Sequence, residues 1–348
     1  MSETPHLLRR ITGAAVASIA AVALLAGCAS SSGSPSSSGS SGATATINFQ
    51  TSWIPLVQFG GSYVAAKAGY YAKHGVSVKI LPGGPDTDGL ALLASGKADV
   101  AVSNADVVAR ANEQGADLVI IGAGFQKSPL AIMSLASDPI TTPADMKGKK
   151  IGVPSGDEGT HAAFLAANSL TDTEVTSVPV SFDVTPTTSG QVAGQYVFAT
   201  EQPISAEEAG YKTHSMLLAD YGLNVYAQVY VVTKSYLASH RSAVEDFMKG
   251  EIEGWQAYVK DQSQAVDLTV KDYGKDQKLT VANQTEQASL QVPLLVTDTT
   301  KAHGLFWMSD SDIAANLKTI NALGIKASKS LFDLSVLKDI YQGASSIG

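Results

Sequence analysis

The feature that most constrains the fold is a regular exchange of short β-rich segments and longer helical ones from Thr46 onward. The pattern predicts a strand over Thr46–Thr51, a helix over Phe59–His74 stopped by Gly75, and a strand over Val76–Leu81. A turn at Pro82-Gly83-Gly84-Pro85 follows. Next come helix Asp86–Ser95, strand Asp99–Val102, helix Ala105–Gln114 and strand Leu118–Ala123. Strands separated by helices need crossover connections, so each such run implies a mostly parallel sheet with helices on both faces.

A second run repeats the pattern. Leu130–Ala136 and Lys150–Val153 read as strands, with a helix start at Thr142-Pro143-Ala144-Asp145 between them, proline taking the first helical position. Helix Glu158–Leu170 and strands Val175–Phe182, Tyr196–Ala199 and Ser215–Leu218 follow. Val225–Thr233 is long and β-rich, and reads as the segment returning the chain to the first sheet. The remainder is helical. After Ser239, Val244, Phe247, Met248, Ile252, Trp255 and Val259 fall on one face at helical spacing, and later helices cover Val281–Leu295, Ser309–Leu323 and Leu331–Tyr341.

The 305 residues from Thr44 to Gly348 exceed the size at which one core usually keeps growing. The expected fold class is therefore α/β and two-lobed. Each lobe is a mostly parallel sheet flanked by helices, and the C-terminal region is helical. Residues 44–128 and 229–348 form the first lobe and 129–228 the second. The chain crosses near Phe125–Ser134 and again near Gly222–Val232, and two crossings make a hinge on which lobes close.

Residues 1–27 read as an export leader. Arg9 and Arg10 precede an apolar run from Ile11 to Ala26 that is too short to span a bilayer comfortably. Leu25-Ala26-Gly27-Cys28 resembles the bacterial lipobox, in which cleavage falls before a cysteine that takes a diacylglycerol. The plainer reading is an ordinary signal peptide with an incidental cysteine. Cys28 is the only cysteine, so no intramolecular disulfide is possible, and lipidation gives the lone thiol a role. The Ser/Gly-rich stretch to Ala43 is a flexible tether with a reach of roughly 20 Å. These segments predict a protein outside the cytoplasm, held to the bacterial membrane only through its lipid.

Loss of residues 1–27 removes Arg9, Arg10 and Glu3 and leaves a net charge of −9. No basic stripe is present, so nucleic acid is not an expected partner. His6, His74, His161, His214, His240 and His303 show no metal-ligand spacing, and Gly152-Val153-Pro154-Ser155-Gly156 places its serine one position late for a nucleophile elbow. Gly122-Ala123-Gly124-Phe125-Gln126-Lys127 lacks the third glycine of a dinucleotide loop, and no phosphate-loop motif occurs. No metal, cofactor or catalytic residue is expected.

Three blocks together resemble one family. They are Trp53-Ile54-Pro55 with Gln58-Phe59-Gly60-Gly61-Ser62-Tyr63-Val64-Ala65, then Gly69-Tyr70-Tyr71-Ala72-Lys73-His74-Gly75-Val76-Ser77-Val78, then Leu93-Ala94-Ser95-Gly96-Lys97-Ala98-Asp99-Val100-Ala101-Val102-Ser103. Pro143-Ala144-Asp145-Met146-Lys147-Gly148-Lys149-Lys150 looks like that family's entry to the second lobe. The family is that of the solute-binding proteins of ABC importers for thiamine pyrimidine precursors, riboflavin, aliphatic sulfonates, taurine and nitrate. The likeness covers roughly residues 46–235. It implies the type II periplasmic-binding-protein fold and a monomer that binds a small molecule between its lobes and delivers it to a permease with its ATPase. A lipoprotein that senses solute is an alternative partner reading. Enzymes also use this scaffold, but those making the thiamine pyrimidine carry a cysteine-rich motif absent here, and porphobilinogen deaminase needs a cysteine within the fold.

Ligands in open α/β sheets lie outside the carboxyl ends of the strands. That rule and the resemblance select the same loops: Trp53–Tyr63, Ser103–Asp106, Gln126–Ser128, Ser155–Thr160 and Thr200–Gln202. Within them Trp53 and Tyr63 can stack on a flat ligand or pack beneath the first helix. Gln58, Gln126 and Thr160 are further candidates. Asn104 either caps a helix or meets ligand. Glu201, followed by Gln202, reads a heterocycle edge or forms a solvated turn, and Tyr226, or equally Tyr230, is the aromatic at the second crossing. Ser155 and Glu158 have capping-box spacing. Asp157 and Glu158 at a helix start disfavour an anion, so the expected ligand is neutral or cationic and rich in N–H donors, such as an aminopyrimidine or a flavin-like ring. A sulfonate, taurine or nitrate is the alternative.

Overall fold

The computed structural model describes residues 45–347. The expected leader, tether and lipidated Cys28 lie outside the described residues. Among the described residues ten strands form two five-stranded sheets. The first contains β1 (Ala45–Gln50), β2 (Val76–Leu81), β3 (Val100–Ser103), β4 (Leu118–Phe125) and β10 (Ala227–Thr233), in the order β2-β1-β3-β10-β4. The second contains β5 (Leu130–Leu135), β6 (Lys150–Pro154), β7 (Thr176–Val180), β8 (Gly194–Phe198) and β9 (Thr213–Leu217), in the order β7-β6-β8-β5-β9.

Each sheet is mixed, with one strand running against the rest. β10 is antiparallel to β3 and β4, and β5 is antiparallel to β8 and β9. Both are the strands the chain enters directly after changing lobes. β4 ends at the edge facing the second lobe, so the next strand starts at that edge and runs away from it. The same holds from β9 into β10. The first crossing is confined to residues 126–129, and β10 begins at Ala227, so the expected boundary after residue 228 falls inside a strand of the first sheet. The crossings are tied side by side. Lys127 Nζ donates to Asp220 Oδ1 at 2.6 Å, and the Ser128 N–H donates to Asn224 Oδ1 at 3.2 Å.

The apolar pattern explains the layering. Along β10, Tyr230 and Val232 join a core beneath the helices Gly60–Ala68 and Arg241–Lys260, while Val229 and Val231 join a second core beneath Ala105–Glu113 and Asp310–Ala322. That is the period-2 alternation of a strand covered on both faces. Phe247, wholly buried, contributes about 1.5–3 kcal/mol by removal from water. Two glycines let Gly60–Ala68 lie against Arg241–Lys260: a Cβ on Gly61 would sit 2.2 Å from Trp255, and one on Gly254 would sit 2.3 Å from the Gly61 carbonyl.

A buried carboxyl pins the same contact. Glu251, on Arg241–Lys260, accepts from Ser62 Oγ at 2.9 Å, Tyr230 Oη at 2.6 Å, Trp255 Nε1 at 3.0 Å and the Tyr71 hydroxyl. Burial raises its pKa, and the four donors oppose that shift.

Two local expectations are corrected. The helix expected over Phe59–His74 breaks at Gly69, which takes a left-handed φ of 76° and separates Gly60–Ala68 from Tyr70–Lys73. Gln202–Glu208 is a helix, with Pro203 in its first turn, rather than a bare strand end.

Candidate functional site

The carboxyl edges of the two sheets face one another across a cleft holding a cavity of about 230 Å³. All five loops selected from the sequence reach it. The first lobe supplies Trp53 and Gln58 after β1, and Asn104 and Asp106 after β3. Ser128 enters from the first crossing. The second lobe supplies Asp157 and Thr160 after β6, and Glu201 after β8.

Its electrostatics are set by three carboxyl groups. Asp106 is buried in the first turn of Ala105–Glu113, and burial raises its pKa against the pull of nearby backbone N–H groups and Arg110. Asp157 is pushed up to about 7, by burial first, then by Asp106 from the opposite lobe and by its neighbour Glu158. Glu201 is buried and also pushed up to about 7, by loss of water around it. No salt bridge joins these three among the described residues. Arg110, exposed at the rim, is the lining cation. The N-terminus of helix Glu158–Ala167 offers little to an anion, because Asp157 at its capping position and Glu158 in its first turn place two carboxyl groups there.

Aromatic groups close the cavity. The Trp53 and Phe182 rings, one from each lobe, meet edge to face at 4.9 Å. Tyr196 forms part of the second-lobe wall. Its hydroxyl lies 3.1 Å from His161 Nδ1, while His161 Nε2 is buried without a hydrogen-bond partner among the described residues, and burial holds the His161 pKa below its ordinary value.

Of the residues selected from the sequence, Trp53, Gln58, Asn104, Thr160 and Glu201 come together at the cavity. The others lie elsewhere. Tyr63 turns into the first-lobe core and stacks on Tyr273 with centroids 3.9 Å apart. Tyr226 packs in the other first-lobe core, edge to face on Phe332, and the alternative Tyr230 is engaged with Glu251. Gln126 is held by its own lobe, its Nε2 donating to the Ala123 carbonyl at 2.8 Å. Ser155 is exposed and makes no capping box with Glu158: the helix starts at Glu158 itself, so Asp157 occupies the capping position. Asp106, Asp157, Phe182 and Tyr196 were not selected individually. The two aspartates lie within the candidate loops at helix starts, and Phe182 is the last residue of the expected strand Val175–Phe182, whereas the observed strand ends at Val180 and leaves it in the loop beyond.

A family model described as NMT1/THI5 like matches residues 57–265, more than half of the chain. The chain belongs to the NMT1/THI5-like family. This NMT1/THI5-like chain is 25% identical over 267 residues to the riboflavin-binding protein RibY of Chloroflexus aurantiacus, covering 74% of this chain and 75% of that one. It is 25% identical over 260 residues to the formylaminopyrimidine-binding protein of Halalkalibacterium halodurans, covering 72% and 78%. Among solved structures, the periplasmic aliphatic sulphonate binding protein SsuA of Escherichia coli superposes with a TM-score of 0.64 at 15% identity, over 82% of this chain and 96% of that one. The NMT1/THI5-like chain thus has the two-lobed periplasmic-binding-protein fold.

Proposed function

We propose that this chain is the extracytoplasmic solute-binding component of an ABC importer, and that its cleft takes up a small heterocycle rich in N–H donors, of aminopyrimidine or flavin type, without altering it. The observation that carries this reading is the placement of Asp106 and Asp157 on opposite lobes, each lacking an ion-pair partner among the described residues and each with its charged form disfavoured by burial. A ring with N–H groups on two edges bridges them, relieves their mutual repulsion and draws the lobes together. Trp53 supplies a stacking face worth roughly 0.5–1.5 kcal/mol beyond its buried area. The names of the two relatives, a riboflavin binder and a formylaminopyrimidine binder, support the same class. Arg110 favours a sulfonate or nitrate instead, but it is exposed, and three carboxyl groups line the same cavity.

Cys28 carries the lipid in this reading, residues 29–43 are the leash, and the permease with its ATPase receives the solute from a monomer. Mass measurement of the mature N-terminus tests the anchor directly. Calorimetry with an aminopyrimidine, riboflavin, taurine, an alkanesulfonate and nitrate tests the ligand class. Micromolar or tighter binding of a heterocycle, recovered chemically unchanged, is expected; binding of the sulfonate or nitrate alone, or recovery of a transformed product, contradicts the reading.

A further inference from the structure

Gln228 sits in the first-lobe sheet in a conformation its residue type disfavours. It is the second residue of β10, where the chain has just returned from the second lobe, and its φ is 51°. Left-handed backbone is uncommon for a residue that carries a side chain. The side chain is 3% exposed, and its Oε1 has no hydrogen-bond partner among the described residues. Backbone strain and a stranded acceptor both weaken a fold, so stability does not account for a glutamine here. Such outliers persist where their surroundings hold them, and they gather at functional sites.

The bonds that Gln228 does make lead to the cleft. Its Nε2 donates to the Gln58 carbonyl oxygen at 3.0 Å, and its backbone N–H donates to Asn104 Oδ1 at 3.4 Å. Gln58 and Asn104 lie on different loops, after β1 and after β3, and both line the cavity. Asn104 stands at the capping position of helix Ala105–Glu113, yet its side chain caps nothing and turns to Gln228 instead. The Ala105 N–H fastens the same loop to the entry of β10 by donating to the Tyr226 carbonyl at 3.0 Å. Room for the arrangement comes from β4, where a Cβ on Gly124 would sit 2.9 Å from the Gln228 carbonyl oxygen.

Gln58 is the group so placed. It is 5% exposed, and its own carboxamide has no hydrogen-bond partner among the described residues. A free carboxamide offers a ligand both a donor and an acceptor. The backbone beneath it is held from two sides, by Gln228 at the Gln58 carbonyl and by Gln284 Oε1, which accepts the Val57 N–H at 2.8 Å.

We propose that Gln228 is a positioning residue of the binding site, its amide fixing the Gln58 backbone so that the Gln58 carboxamide meets the solute in one orientation. The inference rests on the reading above only in that the cleft is where solute binds. It holds for a heterocycle and for an anion alike.

Calorimetry with cytosine, riboflavin, taurine and nitrate identifies which of them the parent binds. With that ligand, Gln58→Leu and Gln228→Met should each weaken binding about fivefold or more. The double variant should fall within about twofold of the weaker single one, because the second change has nothing left to act through. Methionine keeps the length and removes the amide, so the apo melting temperature should stay near that of the parent. Gln228→Gly, which takes up left-handed backbone freely, is the second variant if methionine folds poorly. In the apo protein, hydrogen exchange across residues 57–60 should rise several-fold in either Gln228 variant, while helix Arg241–Lys260 keeps its protection. Additive losses in the double variant, or parental affinity in Gln58→Leu, overturn the positioning role. Binding of taurine or nitrate alone overturns the heterocycle reading and leaves the double-variant test intact. If none of the four binds, the heterocycle reading fails and exchange decides: a rise over residues 57–60 upholds the role of Gln228, and no change overturns it.

Discussion

Two kinds of withdrawn carboxyl group in this molecule have opposite surroundings. Glu251 in the first-lobe core is met by four donors from four elements, counting its own helix. Asp106, Asp157 and Glu201 line the cleft without an ion-pair partner among the described residues, and each is raised in pKa chiefly by burial. The contrast teaches how to separate structure from function in this fold. A buried acid whose bonds are all made from within holds the lobe together; withdrawn acids that line a cleft from two lobes with no ion-pair partner among the described residues await something from outside.

The largest expected effect comes from emptying the satisfied site. Glu251→Ala strands three hydroxyls and an indole N–H in the core and should cost on the order of 3–5 kcal/mol in denaturant unfolding. Ligand affinity of the folded fraction should stay within about threefold.

The open site should behave inversely. Asp106→Asn and Asp157→Asn should weaken binding of an N–H-rich heterocycle by about 10–100-fold, as expected for loss of a charge-assisted hydrogen bond. Apo Asp157→Asn should melt no lower than the parent above pH 7, because it removes a charge the fold disfavours.

Acidity gives a third test, with its sign fixed by the raised values. Asp157 and Glu201 bind protons more tightly folded than unfolded, so their contribution to apo stability is present below the ordinary carboxylate range and is lost as pH rises through about 7. Apo melting temperature should therefore decline across that window, less so in Asp157→Asn. Ligand affinity should move the other way, rising up to about tenfold per pH unit for one linked proton and levelling above about pH 7.

The smallest effects belong to the cleft's edges. Trp53→Ala should lower affinity by roughly two- to tenfold through lost stacking. Glu208→Ala, which frees helix Gln202–Glu208 from Thr280 and Asn283, should cost about twofold, because its bonds are made at an exposed side chain. Parallel titrations of both variants check the ranking.

Much of the scaffold was legible because it rests on period. Strands such as Val76–Leu81 and the helix Val281–Leu295 have the expected ends, and the strand-end rule selected all five loops that reach the cavity. What stayed hidden depends on which way a side chain turns after the chain folds. Tyr63 and Tyr226 looked like ligand aromatics, yet helix and strand phase rotate both into first-lobe cores. Asp157 looked like part of a capping signal, and only the approach of Asp106 from the other lobe gives it a different character. The contact of Glu208 with Thr280 and Asn283 is likewise hidden in the sequence, since it joins residues some 75 positions apart.

The most direct test of the open-acid account is native mass spectrometry of the mature protein purified from its own host, with the released small molecule identified. A neutral or cationic heterocycle bearing N–H donors, bound one per chain and lost in Asp157→Asn, is the predicted result. A co-purified sulfonate, nitrate or other anion whose retention survives that substitution would contradict it.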